Sequence, residues 1–184
     1  MNKKSQILTL AENKVRAGGY GNFSFRELAD EIGIKSSSVH YYFRTKGDLG
    51  AQLAHQYTNV FLASLDDEKA SLQNTSCIDL YINMFKGALE KDNQMCLCGL
   101  LGAQSDSLPE QVKLEIKRFF ELNIHWLQQV FIEEKSMTIE AAKVKAIQLL
   151  ALLEGMMILA KVLNDSSVFD SLTAENSTAS DLNL

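Results

Sequence analysis

Residues 23–49 read FSFRELADEIGIKSSSVHYYFRTKGDL, and the fold follows from this stretch. Ser24 to Glu27 has the S-x-x-E spacing of a capping box. The serine oxygen takes the N–H of Glu27, and the glutamate reaches back to the serine N–H. Phe23 and Leu28 stand at the staple positions around that box. Phe25, Leu28, Ala29 and Ile32 recur at i, i+3, i+4 and i+7, which places them on one helical face. Gly33 supplies the φ freedom that stops this helix and turns the chain. Three serines and then Val39, His40, Tyr41, Tyr42 and Phe43 predict a second short helix. Thr45 to Asp48 repeats the capping-box spacing and opens a third.

This arrangement resembles the helix-turn-helix of the TetR family of bacterial transcription regulators. The resemblance is carried by F-S-F-R-E-L-A-D-E-I-G-I, V-H-Y-Y-F and K-G-D-L, and covers the first third of the chain. It implies a DNA-binding head whose second helix enters the major groove, braced from behind by the first helix. By the same resemblance, Tyr42 and Lys46 match positions that touch phosphate, as does the region of Ser24 and Arg26. Lys35 departs from the family, which often carries a serine or threonine cap there; Ser36 is the alternative cap. Ser36, Ser37 and Ser38 would let the helix start approach the bases, with Lys35, His40 and Tyr41 projecting nearby. The competing reading is an ordinary solvated polar face.

The charge distribution agrees with a basic head on an acidic body. The 184 residues carry a net charge of −5, which is unpromising for a nucleic-acid binder taken whole. Residues 1–55, however, hold 8 Lys and Arg against 5 Asp and Glu, whereas the remainder holds 10 against 18. One proline and 10 glycines suit an all-helical chain, and no alternating β-branched run argues for strands. Lys3 and Lys4 lead into an amphipathic helix rather than an apolar block, so no signal peptide is expected. Three cysteines, an odd number, point to free thiols in a reducing, cytoplasmic setting.

The expected architecture is all-α, with a head at residues 1–50, a ligand-binding and dimerisation domain at 51–170 and a flexible tail at 171–184. Ser5 is the expected cap of a first helix ending near Ala17, with Ile7, Leu8, Ala11 and Val15 inward. A helix from Lys46 to about Glu68 is too long for the head and should run on into the second module. Asn74-Thr75-Ser76 reads as a turn before a helix from Cys77 to about Lys91. Met95 to Ser105 predicts a short buried helix where Gly99 and Gly102 allow close packing. Pro109 suits the first turn of a helix to about Phe131.

Thr138 opens the last helix, ending near Leu163. Ala146 to Leu163 is long enough to test as a membrane span, but Gln148, Glu154 and Lys161 argue for a buried helix and no membrane. A helix apolar all round must be buried all round. One side therefore faces its own core and the other a second subunit. The expected homodimer interface uses Ile116, Phe120, Leu127, Leu149, Leu152, Leu153 and Met156.

The second half (M-C-L-C-G-L-L-G-A, S-L-P-E-Q-V, F-F) resembles a branch of the family that includes regulators of genes dealing with small reactive compounds. Phe61, Tyr81, Phe85, Phe119, Trp126 and Met157 are candidates to line a site for a small-molecule inducer, although most such residues are simply core. Cys96 is a candidate sensor thiol, with Lys161 as the cation that favours thiolate; Cys98 is a resolving thiol or plain core. If both cysteines sit on one helix, their side chains point about 200° apart. Cys96-Leu-Cys98 lacks redox or zinc spacing, and His40, His55 and His125 lack metal spacing. With no phosphate loop and no H-E-x-x-H, neither metal, cofactor nor enzyme activity is expected. The function expected is a repressor released from a palindromic operator by a small molecule or thiol-reactive inducer. The alternatives are an activator and a helical ligand-binding protein without DNA affinity.

Overall fold

The computed structural model describes residues 2–71, 76–92 and 94–170, the side chains of 71, 91 and 92 apart. The turn expected at Asn74-Thr75 and the tail expected at 171–184 lie outside the described residues. The described residues form eight α-helices and no strand: α1 (Lys3–Gly18), α2 (Phe25–Ile32), α3 (Ser36–Tyr42), α4 (Lys46–Ser71), α5 (Cys77–Asp92), α6 (Leu97–Gly102), α7 (Glu110–Lys135) and α8 (Ile139–Leu163). Short 3-10 turns follow at Ser105–Ser107 and Ser166–Phe169.

The chain packs as two compact units. The first comprises Met1–Val60 with Leu97–Phe120, the second Phe61–Cys96 with Glu121–Leu184. The first unit thus takes in more than residues 1–50: α4 to Val60, α6 and the start of α7 belong to it as well. Its single core shows why. Ile7, Leu8, Ala11 and Val15 of α1 meet Phe23, Leu28, Val39 and Phe43, and Leu97, Leu101, Leu108, Val112 and Ile116 complete the same cluster.

Local chemistry sets the helix ends. The capping box at Ser24 is complete: Glu27 N–H donates to Ser24 Oγ at 3.2 Å and Ser24 N–H donates to Glu27 Oε2 at 2.7 Å. Thr45 and Asp48 form the second box, at 2.9 and 3.0 Å. Gly33 sits at φ +69, and its N–H and that of Ile34 close on the end of α2. Two expectations at helix starts fail. Asn2, not Ser5, caps α1, because its Oδ1 takes both the N–H and the hydroxyl of Ser5. Ser36 does not cap α3; Lys35 holds the cap position with no side-chain hydrogen bond. A Cβ at Gly102 would meet Phe120 at an ordinary 3.4 Å, whereas one at Gly50 would lie 2.7 Å from Tyr20 and 3.1 Å from Val112.

In the second unit, α5 packs on α8, and the turn at Ser166–Phe169 packs on both. Ala142, Ala146, Leu150, Leu153, Met156, Met157 and Ala160 are the inward residues of α8. Asn164, in the left-handed region at φ 53, ends the helix. By length and composition alone α8 could cross a membrane, with a mean hydropathy of 1.9 over its most apolar stretch. Its alternation of buried and exposed residues is instead that of a helix lying on a core.

Candidate functional site

The helix-turn-helix presents a polar face on a sealed core. Val39 alone of α3 is fully buried. Ser37, His40, Tyr41 and Tyr42 are exposed, Tyr41 by 83%, while Ser36 and Ser38 are half-buried. His40 leans edge-on against Phe25 at 4.8 Å, and Tyr41 against Tyr42 at 5.1 Å, so these outward rings are held rather than loose. Lys35 and Arg26 are exposed, the latter 4.0 Å from Asp30. Arg44, two residues beyond the end of α3, is exposed on the same stretch and is a further candidate. Only its neighbours were singled out, and no spacing rule marks it.

Two predicted contacts have structural employment already. Ser24 Oγ accepts the cap bond from Glu27 N–H. Lys46 Nζ donates to the Phe23 carbonyl at 2.6 Å and lies 4.2 Å from the Phe23 ring centre and 5.0 Å from that of Tyr20. Burial lowers its pKa, against a smaller opposing pull from Glu27. An ammonium has three donors, so Lys46 still has protons to offer, but its position is set by the head's own core. Tyr20 completes this corner. Its N–H donates to Gln104 Oε1 at 3.0 Å, and burial, helped by Asp48, pushes its hydroxyl up to about 12. Asp48 Oδ1 in turn accepts from Gln111 Nε2 at 2.8 Å, fastening the start of α4 to the start of α7.

The second unit gathers four of the predicted lining residues. Tyr81 is fully buried, with Phe61 edge-on at 5.8 Å, Phe85 tilted at 5.4 Å and Trp126 stacked at 5.6 Å. Its hydroxyl donates to the buried Asn123 at 2.7 Å. Trp126 Nε1 donates to Asp66 at 3.1 Å. Met157 is buried on the inward side of α8. Phe119 packs on Tyr57 and Phe120 in the first unit.

Lys161 is exposed, and the carboxyl of Glu154 is bonded to Cys96. A carboxyl is the opposite of the cation that a reactive thiolate requires. Cys96 and Cys98 also do not share a helix: Cys96 precedes α6 and belongs to the second unit, whereas Cys98 is buried in α6 in the first. Burial raises Glu154 to about 7, opposed only by the Cys96 bond. The sequence did contain the signal for Glu154. It is the one acid in the apolar run from Ala146 to Leu163, and was used there only against a membrane span. The third cysteine, Cys77, is pushed up to about 11, by burial first and then by Glu134.

The expected dimer residues need correction too. Ile116, Leu127, Leu153 and Met156 are buried within their own chain, so their surface is already spent on its core. Phe120, Leu149 and Leu152 are half-buried. The apolar surface that α8 turns outward is a different stripe, Val144, Ile147, Ile158, Leu159 and Val162, with Val162 78% exposed.

Comparison with known proteins agrees with this reading. Residues 7–53 match the family described as bacterial regulatory proteins, tetR family. A TetR transcriptional regulator from Legionella pneumophila is 33% identical; the match covers 93% of each chain with a TM-score of 0.86. A TetR-family regulator from Agrobacterium tumefaciens is 26% identical over 94% of each chain, with a TM-score of 0.85. The reduced form of NemR from E. coli shares the fold at 18% identity, covering 94% of this chain and 93% of that one, with a TM-score of 0.77. No curated protein matches the chain. The fold and the exposed helix-turn-helix define a DNA-binding transcriptional regulator. This chain belongs to the TetR family.

Proposed function

We propose that the protein is a cytoplasmic repressor that grips a partly palindromic operator as a homodimer and lets go when a small molecule enters its second unit. The observation that carries this reading is the outward face of α3. Ser37, His40 and Tyr41 stand exposed over a sealed core, flanked by Arg26, Lys35 and Arg44. Small hydroxyls and rings at a helix start suit base edges, and cations on either side suit phosphate. The exposed stripe of α8 supports a two-fold pairing, since aliphatic side chains at helical spacing gain by meeting their own copies. Inducer action would use α4 and α7, the two helices whose residues are divided between the units. A ligand can release DNA only if it favours the state that fits DNA less well. A hundredfold loss of affinity needs a preference of about 2.7 kcal/mol.

The test is selection of genomic fragments on the purified protein, followed by affinity measurements on the selected site. The expected site has two half-sites about 34 Å apart or a multiple of that, with affinity falling steeply as salt rises. A purified protein that selects no sequence and shows no salt-dependent binding would overturn the proposal.

A further inference from the structure

Within the first unit, the segment from Gln104 to Gln111 touches the head at two places, one on each side of the helix-turn-helix. Gln104 Oε1 accepts the N–H of Tyr20 at 3.0 Å, in the turn that precedes α2. Gln111 Nε2 donates to Asp48 Oδ1 at 2.8 Å, in the first turn of α4, which follows α3. Both anchor points are themselves held. The Tyr20 ring stands edge-on to Phe23 at 5.8 Å, and Asp48 Oδ2 accepts the N–H of Thr45 at 2.9 Å. Between the two contacts, Leu108 is buried in the core that α1, α2 and α3 share. Glycines let the segment lie this close. Gly19 has φ +80, and a Cβ there would fall on the Gln104 amide. A Cβ at Gly47 would stand 3.2 Å from Pro109. The two ends differ in strength, because Gln104 is half-buried whereas Gln111 is exposed and water competes for its bond.

We infer that residues 104–111 form a strap that brackets the helix-turn-helix, with Gln104 as a positioning residue for operator binding. Helices α2 and α3 have eight and seven residues, too short to hold their own geometry in water. Their orientation must be set by what they are tied to, and groove reading requires one orientation. With the strap closed, the chain entering α2 and the chain leaving α3 are fastened to the same segment. Releasing one end lets the pair rock, so the reading orientation becomes a fraction of the population. Apparent affinity falls by that fraction. The Gln104 oxygen is spent on the head's own backbone, so its loss leaves the number of phosphate contacts as it was. The inference rests on the DNA-binding reading and adds what holds the reading helices in place.

Gln104→Met keeps the length of the side chain and removes the acceptor, whereas Gln104→Glu keeps an acceptor. Each full-length variant is compared with the parent in operator affinity, measured well below the melting range, and in amide hydrogen exchange. The methionine variant should bind the selected operator about fivefold more weakly, with the salt slope and the ranking of sites unchanged. Its amides over residues 20–43 should exchange about fivefold faster, while those of α8 keep the parent's rate. The glutamate variant should restore both. Gln111→Ala, at an exposed position, leaves the core intact and should show the same two effects in smaller size. The double variant should be about as impaired as Gln104→Met alone, because a strap released at one end no longer brackets anything. Operator affinity equal to the parent's in the methionine variant overturns the positioning role, and losses that multiply in the double variant overturn the bracket. Exchange that quickens everywhere, α8 included, marks a general stabiliser and overturns it too. Unchanged exchange over residues 20–43 overturns the strap whether or not the parent binds DNA, so its failure is told apart from failure of the DNA-binding reading.

Discussion

α3 and α8 both turn outward side chains that their own cores do not use, but the chemistry they offer differs. α3 spans seven residues and buries only Val39 completely. What remains outside is hydroxyl, imidazole and phenol. α8 spans 25 residues, buries seven, and leaves a stripe of valine, isoleucine and leucine exposed. A short polar face held by a rigid head can donate hydrogen bonds into a groove but cannot drive a stable apolar association. A long aliphatic face does the reverse. The two exposed sides therefore suit different kinds of partner, by their composition rather than by length or position.

The largest effects should come from confusing the two sides of α8. Leu153 is fully buried, so Leu153→Ala should cost about 2–5 kcal/mol of folding stability. Ile158 is 52% exposed, so Ile158→Glu should leave the fold intact and produce a monomer. Sedimentation together with thermal melting separates the outcomes. If Ile158→Glu remains a dimer at micromolar concentration, the exposed stripe is not the interface.

Glu154, also on α8, should tie stability to pH. In the unfolded chain its carboxyl titrates near the ordinary 4.5, and in the fold near 7. The folded protein therefore holds the extra proton between these values, and stability falls as pH rises through that window, levelling off above it. Glu154→Gln removes this loss. The variant should gain up to about 3 kcal/mol over the parent at pH 8 and almost nothing near pH 4.5. Urea unfolding of both proteins at the two pH values checks this, and a gain independent of pH would refute the assignment to Glu154.

The face of α3 should respond more modestly and in two distinct ways. Arg44→Ala should weaken binding to every sequence and reduce the salt slope by about one. Tyr41→Ala should cost about 1–3 kcal/mol on the best site and less on others, with the salt slope unchanged. Should Arg44→Ala change sequence preference instead, the division into phosphate and base contacts is wrong.

The same contrast explains what the sequence disclosed. Helices α2 and α3 were legible because local rules fix them: a capping box, a left-handed glycine and one clean apolar stripe. The family match over residues 7–53 of this chain takes in this stretch. α8 was legible as a helix and illegible as a surface. When nearly every residue is apolar, no periodicity says which side is core, so Leu153 and Met156 were assigned outward although they lie inward. The Cys96–Glu154 bond joins residues far apart in sequence, and no pattern in the chain announces it. Lys46 was placed by resemblance to a phosphate contact, but its carbonyl and ring partners depend on how the head folds back on itself.

The smallest effect separates the two roles assigned to Ser24. By resemblance this residue faces DNA; by geometry its oxygen caps α2. Ser24→Ala removes the acceptor for the Glu27 N–H, and a lost cap costs about 1 kcal/mol. Aspartate caps about as well as serine, so Ser24→Asp should restore the stability lost in the alanine variant. It also places a negative charge on an exposed position of the head, where a phosphate would be repelled. Thermal melting should therefore rank the parent with Ser24→Asp and put Ser24→Ala below both. Operator affinity below the melting range should rank the parent with Ser24→Ala and put Ser24→Asp below both. If Ser24→Asp binds the operator as well as the parent does, Ser24 is a cap and nothing more, and the phosphate-facing edge of the head begins at Arg26.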